Sequence, residues 1–185
     1  MNLDLKKLIP HFIAVGIFIL ISLVYCSPVL EGKKLSQHDI TRFKGMSKEI
    51  KDHREKYGEE PLWTNSMFSG MPAYQISTKY PANLVTIASK ISTGFLGHPA
   101  GRLFVLFIGF YLLVLALGMD WRLGIVGAIA FGMSSYFLIV LEAGHNSKLM
   151  ATAYIPLIMA GILMAYRGKI LWGSAVAAMG LALQL

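Results

Sequence analysis

Long stretches without a charged side chain constrain the fold of this sequence more than any other feature. The first runs from Leu8 to Leu30, and its 23 residues would extend about 34 Å as an α-helix. That length is enough to cross a hydrocarbon core of about 30 Å. Four further uncharged runs cover 103–119, 123–141, 149–166 and 170–185. Because a helix satisfies its own backbone hydrogen bonds within a bilayer, the pattern predicts an all-α, polytopic helical membrane protein with about five transmembrane helices.

Composition favours the bilayer as the solvent. Hydrophobic residues make up 55% of the chain and charged residues 15%, whereas an average soluble domain has about 25% charged residues. The net charge is +7, but Lys and Arg collect at cytoplasmic helix ends and anionic headgroups in membrane proteins. Because no zinc-binding spacing or RNA-binding motif accompanies this charge, we expect the lipid bilayer, and no nucleic acid, as a partner.

The charge distribution divides the chain into three parts. Residues 1–30 hold the first transmembrane helix, with a cytoplasmic N-terminus because Lys6 and Lys7 precede the apolar run. Residues 31–101 contain 10 Lys or Arg and 7 Asp or Glu and are interpreted as an extracytoplasmic loop. Residues 102–185 hold helices two to five, and we expect a truncation at the C-terminus because the last run has no polar flank. A cleaved signal peptide is the alternative for the first run, which lacks an Ala-x-Ala site.

Two segments of the extracytoplasmic loop have the spacing of amphipathic helices. Apolar residues fall near one face in each, either lying flat on the membrane or capping the bundle. The first set is Ile40, Phe43, Met46, Ile50 and Tyr57, and the second is Leu84, Ile87, Ala88, Ile91 and Phe95. Between the two segments, residues 61–81 are predicted to form an ordered but irregular loop.

The predicted topology places three polar motifs on one side of the membrane. With the N-terminus inside, the turns at 120–122 and 167–169 lie inside, while the 142–148 turn and the long loop lie outside. The outer motifs are Ser36–Asp39, Trp63–Gln75 and Glu142–Lys148. We therefore expect chemistry at the outer face.

The motif Ser36-Gln37-His38-Asp39 follows the first helix closely. An acid just beyond the membrane edge can act as a general base or hold a metal ion. The alternative is structural, because Ser36 or Asp39 would also cap a helix beginning near Ile40.

The second motif, Glu142 to Lys148, combines an acid, an imidazole, an amide, a hydroxyl and an amine. Glu142 and His145 are three residues apart, so they share a face if the helix continues. That arrangement would serve as a metal-binding pair or an acid–base pair. The alternative is a hydrophilic turn in which Lys148 reaches the lipid headgroups.

The third motif, Trp63 to Gln75, mixes aromatic rings with hydroxyl and amide groups. Trp63, Asn65 and Tyr74 would suit contacts to a sugar or a lipid headgroup, although an interfacial aromatic belt has the same composition. Arg102, at the outer end of the second span, is a candidate for binding a phosphate through two hydrogen bonds. Its alternative is simple headgroup anchoring.

Absent motifs narrow the possible functions. The sequence has no Walker loop, Rossmann glycine pattern, HExxH or GxSxG. Apart from His11 near the inner edge of the first span, no acidic or basic residue lies deep within an apolar run. Ion-coupled transporters use such groups near the membrane midplane, so this sequence weakens the case for that class, and an ion-coupled carrier would need charged residues in further helices downstream.

Taken together, the motifs resemble the YfhO-like bacterial membrane proteins. The resemblance rests on Ser27–Leu30 followed by Gln37–Asp39, on Pro61–Asn65 with Phe68–Pro72, and on Glu142–Lys148. It covers essentially the whole chain as the N-terminal part of a longer family pattern. The family looks like part of the GT-C superfamily of membrane glycosyltransferases, which implies a GT-C-like fold in the bacterial plasma membrane.

The resemblance also implies a mechanism. GT-C enzymes take sugar from a polyprenyl-phosphate carrier and use a catalytic acid in the first outer loop, a place that Asp39 matches. Glu142 and His145 would occupy the second catalytic motif, orienting the acceptor or binding a metal. Many members have two adjacent acids, whereas Gln37-His38-Asp39 offers one.

The hypothesis is therefore glycosyl transfer to an exported glycan or lipid acceptor, with Asp39 as general base. The substrate-binding candidates are His38, Trp63, Asn65, Tyr74, Arg102, Asn146 and Lys148, with Arg102 or Lys148 neutralising the departing phosphate. The cofactor stays open, a divalent metal ion being the candidate. The alternative is a non-enzymatic membrane protein that transports lipid-linked glycan or helps to assemble the cell envelope.

Overall fold

The computed structural model describes residues 5–80 and 82–184. Over this part of the chain its helix content is 73%, with ten helices and almost no sheet. The helices are α1 (Leu5–Tyr25), α2 (Ser27–Leu30), α3 (His38–Met46), α4 (Lys48–Tyr57), α5 (Leu84–Gly94), α6 (Ala100–Ala116), α7 (Trp121–Gly132), α8 (Ser135–Ala143), α9 (Asn146–Tyr166) and α10 (Ile170–Gln184). The predicted all-α class is confirmed at this level.

Two helices of the described residues, α1 and α9, are long and apolar enough to cross a membrane. Helices α7 and α8 make a third candidate span if they are taken together, although they are bent by 46° at the break between them. Helices α6 and α10 are apolar but shorter. Each predicted run thus coincides with helix, and two or three of them qualify as spans by length and composition.

The bend between α7 and α8 was not predicted from the uncharged run at 123–141. The break falls at Met133 and Ser134, and α8 resumes at Ser135. Gly132, Ser134 and Ser135 have lower helix propensity than the surrounding aliphatic residues. Gly132 also packs against Phe107, since a Cβ there would lie 2.5 Å from that ring. Hydropathy alone does not predict this change in the direction of the helix.

Helix α6 forms the centre of the bundle. It packs against α1, α5, α7 and α9, and most of its residues are buried. The ring of Phe18 from α1 lies 5.6 Å from Phe107 and 5.5 Å from Tyr111, both on α6. These aromatic contacts belong to one continuous apolar core that also includes Phe137, Leu149 and Tyr154.

Helices α9 and α10 approach each other closely because small residues line their contact. A Cβ added at Gly161 would lie 2.5 Å from the backbone nitrogen of Ala177, and one at Gly173 would lie 2.6 Å from the carbonyl oxygen of Gly161. Neither position has room for a side chain. Small residues allow this kind of backbone approach in membrane helix pairs.

The two ends of the bundle carry different groups. At one end, Arg167 donates to the carbonyl oxygens of Ala116 and Leu117. At the other end, α3 packs against α8, and Gln37 donates to the carbonyl oxygen of Leu141. The polar motifs near Asp39 and His145 therefore meet at one end of the bundle.

Both predicted amphipathic segments are helical, but the first is divided. Ser47 separates α3 from α4, and its hydroxyl donates to the carbonyl oxygen of Phe43 at 2.7 Å. Ile50 is fully buried, whereas Phe43 and Tyr57 of the same predicted face are exposed. The second segment is α5, which packs against α6 and α10.

The predicted irregular loop contains a small amount of sheet. Strands β1 (Trp63–Thr64) and β2 (Met71–Pro72) pair antiparallel, and a 3₁₀ turn follows at Ala73–Gln75. Thr64 and Ala73 are fully buried. The loop is thus ordered, as its composition predicted.

Candidate functional site

The turn between α8 and α9 is shorter than the sequence predicted. Helix α8 ends at Ala143, Gly144 adopts the left-handed conformation at φ +95°, and α9 begins at Asn146. Glycine suits this helix end because it carries no Cβ. A Cβ at Gly144 would lie 3.1 Å from that of Gln37 and 3.3 Å from that of Asp39. The first turn of α3 therefore rests directly on this turn.

The contact between these elements brings Asp39 and His145 together. Nδ1 of His145 lies 3.0 Å from Oδ2 of Asp39. Because an ionised carboxylate only accepts hydrogen bonds, the imidazole donates from Nδ1, which leaves Nε2 available. The His145 and Asp39 side chains are 53% and 38% exposed, so the pair is accessible from outside the bundle.

A buried amide, Gln37, holds this arrangement. Its side chain is 5% exposed, and Nε2 donates to the carbonyl oxygen of Leu141 at 2.5 Å. A carbonyl oxygen can only accept, so this bond fixes the orientation of the amide. Nε2 also lies 3.2 Å from Oδ1 of Asn146, while Oε1 accepts from Nδ2 of Asn146 at 3.1 Å. Gln37 thereby joins α3 to both α8 and α9.

His98 completes the hydrogen bonds of Gln37. Its Nε2 lies 3.2 Å from Oε1 of Gln37, and because the amide oxygen is an acceptor, the imidazole donates from Nε2. Sequence reasoning did not single out His98, and it quoted Gln37 only as a neighbour of Asp39. The signal for Gln37 was its place in the polar motif, whereas no pattern in the sequence marks His98.

The predicted capping role of Ser36 or Asp39 is wrong. Helix α3 begins at His38, its N-cap is Gln37, and no side chain caps it. Asp39 lies inside the first turn, where a negative charge interacts favourably with the helix dipole. Ser36 is exposed and precedes the helix.

Glu142 is placed differently from what its spacing to His145 predicted. The condition for a shared face with His145 is not met, because α8 ends at Ala143 before it reaches His145. Glu142 is exposed and lines a groove of about 580 Å³. Its lining combines Lys33, Lys34 and Ser36 with apolar residues that include Val29, Leu138, Ile139 and Leu141.

The carboxylate of Glu49 on α4 accepts hydrogen bonds from the Trp63–Gln75 loop. Glu49 accepts from the Thr64 hydroxyl at 2.5 Å and from the backbone N–H groups of Asn65 and Ser66 at 3.1 and 2.8 Å. The Thr64 hydrogen bond, followed by that from Asn65, lowers the pKa of Glu49 below its ordinary value. These bonds stabilise the ionised carboxylate.

Trp63 and Tyr74 present aromatic surface on this loop, with exposed fractions of 55% and 63%. The indole N–H of Trp63 donates to Oδ1 of Asn65 at 3.2 Å, and the ring covers Gly70. Within the described residues, no hydrogen bond connects this loop to Asp39 or His145. Of the three predicted residues on this loop, the structure joins Trp63 to Asn65.

The other predicted binding residues have different surroundings. Asn146 contacts Gln37, as described above, and His38 is the exposed first residue of α3. Nζ of Lys148 lies 5.6 Å from the centre of the Tyr136 ring, a cation–π distance. Arg102 lines a separate cavity together with His98.

The Asp39–His145 pair does not form a ready metal site. Among the residues that the structure describes, no three His, Cys, Asp or Glu side chains come together as a metal site. In the pair, the imidazole carries its proton on Nδ1 and donates it to Oδ2 of Asp39, so this nitrogen cannot also ligate a metal ion beside the carboxylate. Mg²⁺ prefers oxygen ligands, whereas imidazole is typical of Zn²⁺ sites, so the two residues as paired do not fit a two-ligand Mg²⁺ site.

Comparison with known proteins does not assign this chain to a family. No protein-family model matches this chain, and no curated protein or solved structure matches it either.

Proposed function

We propose that this chain belongs to a YfhO-like, GT-C-type glycosyltransferase of the bacterial plasma membrane, with its N-terminus in the cytoplasm. The enzyme would transfer sugar from a polyprenyl-phosphate donor to an exported cell-envelope glycan or lipid. The contact between Asp39 and His145 carries the proposal. It supports the proposal because it gives an exposed acid–base pair at one end of a bundle of apolar helices.

The proposed reaction uses Asp39 as general base. The acceptor hydroxyl oxygen attacks the anomeric carbon, the bond from that carbon to the phosphate oxygen breaks, and its electron pair leaves with the polyprenyl phosphate. The hydroxyl proton passes to Oδ1 of Asp39. Oδ2 accepts from Nδ1 of His145, so the imidazole orients the carboxylate.

The groove beside the pair suits the donor. Its apolar wall would take the first isoprene units, and Lys34 would face the phosphate. The lining segment at Lys33–Ser36 leads directly into Gln37, and the lining residues Leu141 and Glu142 lead into the Gly144 turn. A donor in this groove would therefore lie next to the catalytic pair, with Glu142 and Lys148 at its edge.

The aromatic loop suits a sugar. Trp63 and Tyr74 are exposed, and the loop is held in place by Glu49. Exposed rings on an ordered backbone can stack against sugar faces while keeping their own conformation. In this proposal Trp63, Asn65 and Tyr74 contact the acceptor glycan, and Asn146 and His38 contact the hydroxyls nearest to Asp39.

Substitution of Asp39 tests the proposal. We expect Asp39→Asn to reduce transfer from polyprenyl-phosphate-linked hexose or N-acetylhexosamine by about 100- to 10,000-fold, with normal membrane insertion. Asp52→Asn is the matched control, because Asp52 is an exposed acid on α4 that pairs with Lys48 at 4.0 Å. Near-normal glycosylation by the Asp39 variant would contradict the proposed role.

The alternative, a non-enzymatic carrier of lipid-linked glycan or an envelope-assembly protein, predicts a different outcome. The purified protein would then leave polyprenyl-phosphate sugars intact, while cells lacking it would mislocalise a lipid-linked glycan. Measuring donor consumption and glycan location in parallel distinguishes the two functions.

A further inference from the structure

A small cavity under α5 contains a cation that lacks a counter-ion among the described residues. The cavity measures about 170 Å³ and is lined by Ser89, Thr93, Gly97, His98, Arg102 and Met150. It is distinct from the groove beside Asp39, with which it shares no lining residue.

The guanidinium of Arg102 is the charged group of this cavity. Its Nε is buried and has no hydrogen-bond partner within residues 5–80 and 82–184. No carboxylate lines the cavity, and none of the ion pairs in the described part of the chain includes Arg102. Arg102 as a whole is partly buried, and a charge withdrawn from water without a partner is unfavourable, so the site is electrostatically suited to an anion.

Other lining groups add hydrogen-bonding capacity. The Ser89 hydroxyl lies at the cavity. His98 uses Nε2 to donate to Gln37, which leaves Nδ1 for a second partner. The hydroxyl hydrogen of Thr93 is already donated to the carbonyl oxygen of Ser89 at 2.8 Å. The available donors are therefore Arg102, Ser89 and, when its ring is protonated, His98.

We propose that this cavity binds one phosphate group. Its volume equals that of about five or six water molecules at about 30 Å³ each, which is enough for a single tetrahedral oxyanion. Arg is well suited to phosphate because its planar fork donates two parallel hydrogen bonds. The phosphate would belong either to a membrane lipid headgroup or to a free phosphate ion, since both present the same oxygens to Arg102.

The surroundings of the cavity favour a position at headgroup level. Arg102 lies in the first turn of α6, directly before the buried apolar residues Leu103 and Phe104. Leu84, Ile87 and Ile91 of neighbouring α5 are exposed, as expected for a helix that lies in the membrane interface. This inference stands without the glycosyl-transfer proposal, because it requires neither a sugar nor Asp39.

Thermal unfolding of the purified protein tests the site. The protein is prepared in maltoside detergent and phosphate-free buffer, then titrated with inorganic phosphate or with phosphatidic acid, using diacylglycerol of the same chains as the control lipid. We expect a saturable rise in Tm of about 2–4 °C in at least one phosphate arm. A rise with phosphatidic acid alone identifies a lipid headgroup, and a rise in both arms identifies phosphate itself.

Two variants connect this effect to Arg102. Arg102→Gln should lose the rise, and its Tm without phosphate should not fall below that of the native protein, since it removes an unpaired charge. Arg102→Lys should keep the fold and need about tenfold more phosphate for half-saturation, because Lys cannot donate bidentately. Arg42→Gln, at an exposed position on α3, should behave like the native protein.

Three results would count against the site. No rise in either phosphate arm would overturn the proposal. A rise that Arg102→Gln retains, or an unchanged half-saturation in Arg102→Lys, would also overturn it.

Discussion

At the scale of single residues, Gln37 connects more elements than either Asp39 or His145. Its amide reaches Leu141, Asn146 and His98, which belong to three different parts of the chain. Because each of these bonds fixes the direction of a donor or an acceptor, the amide sets how α3 meets the α8–α9 turn. Asp39, two residues further on, takes its position from this contact.

Replacing Gln37 tests this positioning role. Gln37→Leu would leave the buried carbonyl oxygen of Leu141 and the amide of Asn146 short of partners, and we expect a loss of about 2–4 kcal/mol of stability. Denaturant unfolding measures the change. Gln75→Leu is the control, because Gln75 is exposed and should change stability by less than about 0.5 kcal/mol. Equal effects of the two substitutions would show that Gln37 has no special role.

Glu49 makes the stability of the Trp63–Gln75 loop depend on pH. Hydrogen bonds from Thr64, Asn65 and Ser66 lower its pKa in the folded protein. A lowered folded-state pKa contributes stability above the ordinary value of 4.5, and this contribution is lost as pH falls through the folded pKa. We therefore expect Glu49→Gln to lower Tm at pH 7, with the difference from the native protein shrinking below pH 4.5.

Melting curves of both proteins from pH 7 downwards check this expectation. A difference that stays constant across the whole range would contradict the assigned hydrogen bonds. Glu55→Gln is the control, since Glu55 is an exposed partner of Lys51 on the same helix.

At the scale of elements, the Gly144 turn determines whether α3 can reach α9. The left-handed φ of Gly144 ends α8, and the absence of a side chain lets Gln37 and Asp39 approach. Gly144, which has no side chain, therefore lets the end of α8 pack against the start of α3.

Substitution at Gly144 distinguishes the cost of its left-handed backbone from the cost of crowding against α3. Gly144→Ala should destabilise by about 2–4 kcal/mol, because it combines an unfavourable φ with a Cβ crowded against α3. Gly32→Ala is the matched control, since Gly32 has φ +81° with nothing within 4 Å of an added Cβ. We expect it to cost about 1 kcal/mol, measured by denaturant unfolding. If the two costs are equal, α3 does not rest on the turn.

At the scale of the whole molecule, the sequence predicted the helices far better than their contacts. Uncharged runs located the apolar helices because hydropathy is a property of neighbouring residues. The bend at Met133–Ser134 and the end of α8 at Ala143 depend on packing and on backbone conformation. The bond from Gln37 to Leu141 joins residues 104 positions apart, and no local pattern indicates it.

In the candidate site, too, the sequence predicted residues that belong to local motifs and missed those that depend on the fold. Asp39, His145 and Asn146 were predicted from polar motifs, and the fold brings them to one place. His98 was missed because a single histidine before a proline carries no motif. Glu142 was expected to share a face with His145, but that expectation depended on helix continuation, which sequence spacing cannot decide.

The central claim is that α3 brings Asp39 to His145 on the outer side of the membrane. The double substitution Asp39→Cys with His145→Cys tests it most directly in a Cys26→Ser background, because Cys26 is the one cysteine in these 185 residues. Intact cells are treated with a short thiol cross-linker that cannot cross membranes, and cross-linked peptides are identified by mass spectrometry. We predict efficient cross-linking between these two positions and little in the control that combines Asp52→Cys with His145→Cys. Failure of the first double variant to cross-link, or reaction only after the cells are opened, would contradict the claim.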